Sequence, residues 1–146
     1  MLIEELILVN ASIEIVWRTF TDITHWADWN SVLKDIKFSG NCIEEGATFR
    51  CCVKPYVFPI YFEPEIEEVV PFERIVWKGE KKGIRSRHEF LFSRKDKSTE
   101  IISRETFSGI PVILAGPLFP IERLRELNAE FLRNLKDAAE QAARNQ

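Results

Sequence analysis

Two side chains in the second half of the sequence could carry out acid–base chemistry together, His88 and Glu105. They lie in neighbouring segments, residues 85–95 and 98–108, in which apolar and polar residues alternate as in half-buried strands. If these segments form a hairpin, the imidazole and the carboxylate face each other across it. Such a pair can move a proton or orient a polar group in an apolar environment. We therefore predict His88 and Glu105 as candidate catalytic residues.

The same pair has two other interpretations. Burying an imidazole and a carboxylate is costly unless each finds a partner, so the contact could serve only to satisfy the pair itself. The pair could also hold the polar group of a ligand without any reaction. The sequence leaves a structural role, ligand orientation and catalysis open.

Three segments, residues 74–82, 85–95 and 98–108, are joined by connections short enough for antiparallel hairpins. Gly83 as the first central residue of a type II′ turn predicts the first register, and a turn centred on Asp96-Lys97 predicts the second. The predicted opposite pairs are Trp77–Phe90, Gly79–His88, Lys78–Glu89, Phe92–Ile101, His88–Glu105 and Glu89–Arg104. One face of this sheet carries alternating charges and the other is aromatic, which supports the register.

The aromatic face of the predicted sheet could fill a core or line a cavity. Gly79 has no side chain and leaves room beside His88. The candidate ligand-binding residues on and around this face are Trp26, Trp29, Phe49, Cys51, Phe62, Trp77, Gly79, Phe90, Phe92, Ser103 and Phe107.

The stretch from Ile121 to Ala142 has apolar residues three and four positions apart, which predicts an amphipathic helix of about six turns. A long one-sided helix must bury its apolar side, so we expect it to pack on the sheet. Leu124, Asn128 and Phe131 are the helix residues expected to face the interior. Asn128 is the single polar residue in the apolar series, and it is therefore a candidate for ligand contact.

The apolar segment Ile110–Pro120 connects the last strand to this helix. It has three interpretations: a buried crossover, a gate at a cavity mouth that moves at Gly109 and Gly116, or a contact with a partner protein or a second copy. Leu114 and Leu118 are its candidate ligand-binding residues.

The first half of the chain predicts further elements. Ser12 has the residue type and position of a helix N-cap. The predicted elements are a strand at 5–10, two short tandem helices at 12–20 and 22–29, strands at 32–39, 47–54 and 60–70, and a turn around 41–46.

The order of strand, two short helices, antiparallel strands and long C-terminal helix resembles that of the START-related helix-grip superfamily, the SRPBCC proteins, and in particular their small bacterial polyketide cyclase/dehydrase-like members. The segments that carry the resemblance are Val9–Trp17, Asp22–Asn30, Pro71–Trp77, His88–Phe90 and Glu105–Gly109. The resemblance implies an α+β helix-grip fold, in which a curved antiparallel sheet of about seven strands wraps around the C-terminal helix and encloses an apolar cavity. It does not imply a substrate, because one fold serves many activities.

Composition sets the outer bounds. A chain of 146 residues predicts a single domain. The net charge of −3 does not favour nucleic-acid binding, and the longest uncharged apolar run is too short to span a bilayer. Three cysteines and no basic N-terminal start predict reduced thiols in a cytoplasmic protein, with Cys51 inward and inert and Cys52 outward. The sequence predicts no cofactor and no metal site, since it has only two histidines.

Three functional hypotheses follow from these features. The first is a binding protein for a hydrophobic small molecule such as a lipid, a polyketide or an aromatic metabolite. The second is a polyketide cyclase/dehydratase-type enzyme that uses His88 and Glu105 as an acid–base pair. The third is a protein-interaction module. Either a monomer or a homodimer is compatible with the sequence.

Overall fold

The computed structural model of the chain describes residues 1–40 and 42–146. Asn41, in the turn predicted around 41–46, lies outside the described residues. The described elements are, in chain order, β1 (Leu2–Val9), α1 (Ile13–Thr21), a 3₁₀ helix (Ile23–Asp28), β2 (Lys34–Phe38), β3 (Phe49–Val53), β4 (Ile60–Phe62), β5 (Glu65–Val70), β6 (Arg74–Lys81), β7 (Ile84–Lys95), β8 (Ser98–Ser108), α2 (Ile110–Ala115), a second 3₁₀ helix (Gly116–Leu118) and α3 (Ile121–Arg144).

The first helix begins where the sequence predicts it. The backbone N–H of Ile15 donates to Ser12 Oγ at 3.4 Å, so Ser12 caps α1. The 3₁₀ helix that follows turns Trp26 back toward α1, and its indole N–H donates to the Phe20 carbonyl at 2.8 Å. Both rings are fully buried, so these two short helices close one end of the structure.

The strands form two antiparallel groups, one in the order β1-β8-β7-β6-β5 and one in the order β2-β3-β4. A bridge between Thr48 and Glu65 joins the groups, and the backbone N–H of Ile66 donates to the Ala47 carbonyl at 2.8 Å. The combined surface curves around α3, which packs against β1 and α1. The predicted α+β helix-grip arrangement is therefore confirmed.

Helix α3 covers the concave side of the sheet with an apolar face. Its buried residues are Leu127, Phe131, Leu132, Leu135 and Ala139. The Phe131 ring lies 5.4 Å from Trp26 and 6.2 Å from both Phe20 and Phe90, measured between centroids. Among the described residues, no helix is both long enough and apolar enough to cross a membrane.

The predicted register between β7 and β8 is confirmed, including the opposite pairs Phe92–Ile101, His88–Glu105 and Glu89–Arg104. Asp96 takes a left-handed backbone conformation, with φ of 60°, in the turn that sets this register. The outward Glu89 carboxylate accepts from Arg74 at 2.6 Å and lies 3.7 Å from Arg104, so this face is charged as expected.

The predicted register between β6 and β7 is wrong by two residues. The turn is centred on Lys82 and Gly83, with φ of 51° and 84°, instead of on Gly83 and Ile84. Two left-handed residues form the type I′ turn that matches strand twist, which is the reason for the shift. The predicted pairs Trp77–Phe90, Gly79–His88 and Lys78–Glu89 are replaced by Trp77–His88, Gly79–Ser86 and Val76–Glu89. A shift of two residues keeps every side chain on its predicted face.

Two other segments differ from expectation. The strand predicted at 60–70 is divided into β4 and β5, which belong to different sheets, because Pro64 lacks the N–H that a continuing ladder needs. The connection Ile110–Pro120 contains the short helix α2. Gly109 precedes this helix with φ of 116°, and any side chain there would collide with the Gly83 carbonyl. The close approach requires glycine and fixes α2 against the β6–β7 turn.

We predict that Phe131→Asp unfolds the protein. Phe131 is 5% exposed and contacts several rings, so losing its burial costs about 3–5 kcal/mol before the charge is counted, against a usual total stability of roughly 5–15 kcal/mol. Urea denaturation followed by circular dichroism measures the effect. Arg133→Asp adds the same carboxylate at an exposed position of α3 and is the control. Equal midpoints for the two variants would contradict the orientation of α3.

Candidate functional site

A cavity of about 580 Å³ lies between α3 and the inward faces of the sheets. Its contacts on α3 come from the N-terminal half of the helix, at Leu124, Leu127, Asn128 and Phe131. The aromatic residues that line it are Phe49, Phe62, Trp77, Phe90, Phe107, Phe119 and Phe131. The exposed residues at its rim, where it meets solvent, are Pro59, Ile60, Glu63, Glu80, Lys81 and Lys82.

Four polar side chains meet on the cavity wall. His88 on β7 and Glu105 on β8 are opposite each other, and His88 Nδ1 lies 3.5 Å from Glu105 Oε2. Ser86 Oγ donates to the same oxygen at 2.9 Å, and Asn128 Nδ2 of α3 donates to Oε1 at 3.0 Å. The polar cluster, Ser86, His88, Glu105 and Asn128, therefore joins the sheet to the helix across the cavity.

The His88 imidazole is held between rings and a hydroxyl. It stacks on Phe90 at 4.1 Å between centroids and meets the edge of Trp77 at 5.4 Å. Burial lowers the pKa of His88 below its ordinary value of 6.5, and the nearby Glu105 charge only partly opposes this shift. The imidazole is therefore neutral at pH 7.

The neighbours of this neutral ring, Ser103 and Glu105, determine which of its nitrogens carries the proton. Ser103 Oγ lies 2.7 Å from His88 Nε2 and is buried. If the hydroxyl donates to Nε2, the proton of the ring sits on Nδ1 and faces the Glu105 carboxylate. The opposite tautomer would direct a lone pair of Nδ1 at the carboxylate, which is unfavourable. Within the protein, Nε2 of His88 is therefore hydrogen-bonded to Ser103, and Nδ1 faces Glu105 at 3.5 Å.

Glu105 keeps capacity for a further partner. A carboxylate has about four lone-pair positions on its two oxygens. Asn128 and Ser86 occupy two of them, and His88 Nδ1 lies 3.5 Å from Oε2. The chemistry offered to the cavity is therefore that of a hydrogen-bond acceptor or a base with an apolar surround. Among the described residues, no group of three or more His, Cys, Asp or Glu side chains is placed to hold a metal ion.

The structure brings most of the predicted site residues to this cavity. Those that line it are Phe49, Phe62, Trp77, Gly79, His88, Phe90, Glu105, Phe107, Leu124, Asn128 and Phe131. Gly79 lies opposite Ser86 instead of His88, as a result of the corrected register.

Seven predicted residues lie elsewhere. Trp26, Cys51 and Phe92 are buried within the packed core, and Trp29 packs at its edge. Ser103 contacts the cavity only through His88. Leu114 and Leu118 do not line the cavity, because the segment that carries them projects into solvent and leaves them 80% and 89% exposed.

The same exposures exclude the buried-crossover interpretation of the segment Ile110–Pro120. Its exposed apolar residues are Ile110, Ile113, Leu114 and Leu118. Phe119 turns inward at the end of the segment, where its ring lies 5.3 Å from Phe107 and lines the cavity. The gate and the partner-contact interpretations stay predictions.

The cysteine prediction is half right. Burial raises the pKa of the Cys51 thiol, so this inward side chain is inert. Cys52 is also buried, at 4% exposure, although it points to the opposite face. Its cross-strand neighbours Lys34 and Tyr61 flank it on that face.

Ser86 is the polar residue that the sequence interpretation missed. It lies two positions before His88, so strand alternation places it on the same face, and this signal could have identified it. The lining residues contributed by loops have no such periodic signal. They include Pro55, Pro59, Pro64, Phe119 and Pro120.

Comparison with solved structures gives neighbours of the same fold at low sequence identity. TTHA0849 from Thermus thermophilus has a TM-score of 0.83 at 14% identity, over 98% of this chain and 99% of that chain. The di-domain ARO/CYC StfQ from the steffimycin biosynthetic pathway has a TM-score of 0.78 at 15% identity, over 97% and 52%. A START superfamily protein from Mycobacterium smegmatis has a TM-score of 0.70 at 17% identity, over 99% and 97%.

A comparison with curated proteins found no match. The family model described as polyketide cyclase / dehydrase and lipid transport matches residues 2–140, nearly the whole chain. That span contains both strands of the polar cluster and the part of α3 that faces it. The match agrees with the START-related resemblance of the sequence. The chain therefore belongs to the polyketide cyclase / dehydrase and lipid transport family.

Proposed function

We propose that the protein binds an apolar small molecule in the cavity between α3 and the sheets, with a polar group of that molecule at Glu105. The observation that carries the proposal is the combination of a cavity of about 580 Å³ with an aromatic wall and a single polar cluster. Ligand pockets typically have volumes of roughly 300–1,000 Å³ and few polar groups, so both size and lining suit a small organic molecule.

The arrangement of polar groups supports binding over simple core packing. If His88 and Glu105 only satisfied each other's hydrogen-bonding requirements within a packed core, no empty space beside them would be needed. Gly79 and Ser86 are small residues of the cavity wall and leave such space. The family description includes lipid transport, and StfQ is described as an ARO/CYC protein. Both descriptions fit proteins that enclose apolar compounds.

An enzymatic function is the second candidate, and the geometry of His88 and Glu105 favours it. Glu105 is the group available as a base toward a bound compound. It would take a proton from the compound and return it to the product, so no other acid is needed. His88 would remain neutral and position Glu105, and Ser103 would hold the imidazole in place through Nε2.

We predict that filling the space at Gly79 weakens ligand binding. Gly79→Leu adds a side chain at the cavity wall, where a β-carbon would have only Pro64 within 4 Å. Forcing extra methylenes into space that the ligand occupies costs about 1–3 kcal/mol, which corresponds to a roughly 5- to 150-fold loss of affinity. Titration with the neutral fluorophore N-phenyl-1-naphthylamine measures the effect. Lys78→Leu, on the outward face of the same strand, is the control. Equal affinities of the two variants would contradict the proposed location.

Mass spectrometry of the protein purified from cells tests binding and catalysis together. We expect an apolar compound to co-purify and to be released on denaturation. If wild-type protein changes the mass of that compound on incubation and Glu105→Gln does not, the enzymatic function is supported. An unchanged mass with both proteins supports the binding function alone.

We predict that His88 is neutral at pH 7 with its proton on Nδ1. Because burial lowers its pKa, protonation should occur at a midpoint below pH 6.5, and the neutral form should persist as the pH falls through that value. Nitrogen-15 NMR of the imidazole reports both the charge and the tautomer. Ser103→Ala should raise the Nε2-protonated fraction. An imidazolium at pH 7 would show instead that His88 and Glu105 form an ion pair.

A further inference from the structure

Among the described residues, the Glu105 carboxylate has no lysine or arginine partner. Its contacts are the amide of Asn128, the hydroxyl of Ser86 and the imidazole of His88. In the part of the chain that the structure describes, no lysine or arginine nitrogen lies within 4.0 Å of it. Glu89, on the outward face of the same pair of strands, is by contrast paired with Arg74 and Arg104. Glu105 therefore brings uncompensated negative charge to the cavity.

The rest of the cavity does not offset this charge. The charged residues of the rim are Glu63, Glu80, Lys81 and Lys82, two of each sign, and all are exposed to screening by solvent. The aromatic rings on the wall present electron-rich faces, which attract cations and repel anions. A carboxylate in an apolar surround is an unfavourable neighbour for a second anion.

From this arrangement we propose that the cavity selects ligands whose polar group is a protonated amine, held by Glu105 against the aromatic wall. The inference rests on the proposed binding function and specifies its ligand class. The Glu105 side chain is only 14% exposed, so part of its desolvation cost is already met in the folded protein before a cation binds. The remaining lone-pair position of Glu105 accepts the N–H of the ammonium group. An alcohol can donate to the same position but carries no charge, and a carboxylate can neither donate nor be tolerated there.

Three probes with one ring system separate these classes: 2-(2-naphthyl)ethylamine, 2-(2-naphthyl)ethanol and 2-naphthylacetate. Isothermal titration at pH 7 measures their affinities for the wild-type protein. Both probes can donate to the Glu105 carboxylate, but only the ammonium adds an attraction between opposite charges, so the amine should bind roughly ten- to hundredfold more tightly than the alcohol. The naphthylacetate should bind more weakly than the alcohol.

The variant Glu105→Gln removes the charge and keeps a side chain of the same shape. We expect it to abolish the preference for the amine over the alcohol while the alcohol still binds, which also shows that the variant is folded. Glu73→Gln removes one exposed carboxylate away from the cavity and should retain the preference. It controls for the change in net charge.

The outcomes distinguish this inference from the function on which it rests. If the alcohol or the naphthylacetate binds at least as tightly as the amine, the amine preference is overturned but the proposed binding function is not. The same holds if Glu105→Gln retains the preference. If none of the three probes binds and N-phenyl-1-naphthylamine does not bind either, the binding function itself is overturned, and the amine preference falls with it.

Discussion

A single helix cannot fill the concave side of a sheet that is wider than the helix, and this geometric constraint shapes the whole interior. At one end, aromatic side chains fill the space that the helix leaves. Phe20 and Trp26, from the short helices after β1, pack against Phe131 of α3 and leave that end solid. At the other end, α2 buries only Val112 and leaves its larger apolar side chains exposed, and the space beside the N-terminal half of α3 becomes the cavity. The short helices thus determine where the cavity lies.

The polar cluster depends on this asymmetry. Glu105, Ser86 and His88 lie on two paired strands, whose register is fixed by turns with left-handed residues at Asp96 and at Lys82-Gly83. Asn128 approaches from the opposite wall. Phe131 and Asn128 lie on the same face of α3, so a rotation of the helix about its axis would displace both. The packing of Phe131 therefore also fixes the hydrogen bond between Asn128 and Glu105. Stability and recognition are therefore supported by the same helix face.

The sequence was sufficient for the fold and for the composition of the inward face, because alternation along β7 and β8 survives small errors in register. His88 and Glu105 could be paired from the turn at Asp96 alone. The β6–β7 register could not be obtained in this way, since a glycine accepts either turn type and Lys82 gives no sign that it will take a positive φ. Leu114 and Leu118 were misplaced because apolar character does not distinguish a side chain facing a cavity from one facing solvent. Strand alternation places Ser86 on the same face as His88, but nothing in the sequence gave this serine a chemical role.

The position of the cavity rim bears on how a ligand would enter and leave. Pro59, Ile60, Lys81 and Lys82 border the side of the cavity that meets solvent, so the path of a molecule into and out of the cavity passes these residues. Under the proposed function, the residence time of a ligand would depend on its polar contact with Glu105 and on the apolar surface that it exposes on leaving. With the polar contact at the wall and the entrance open, a longer tail can extend outward instead of being rejected. Discrimination would act on the head group, and tail length would be read only loosely.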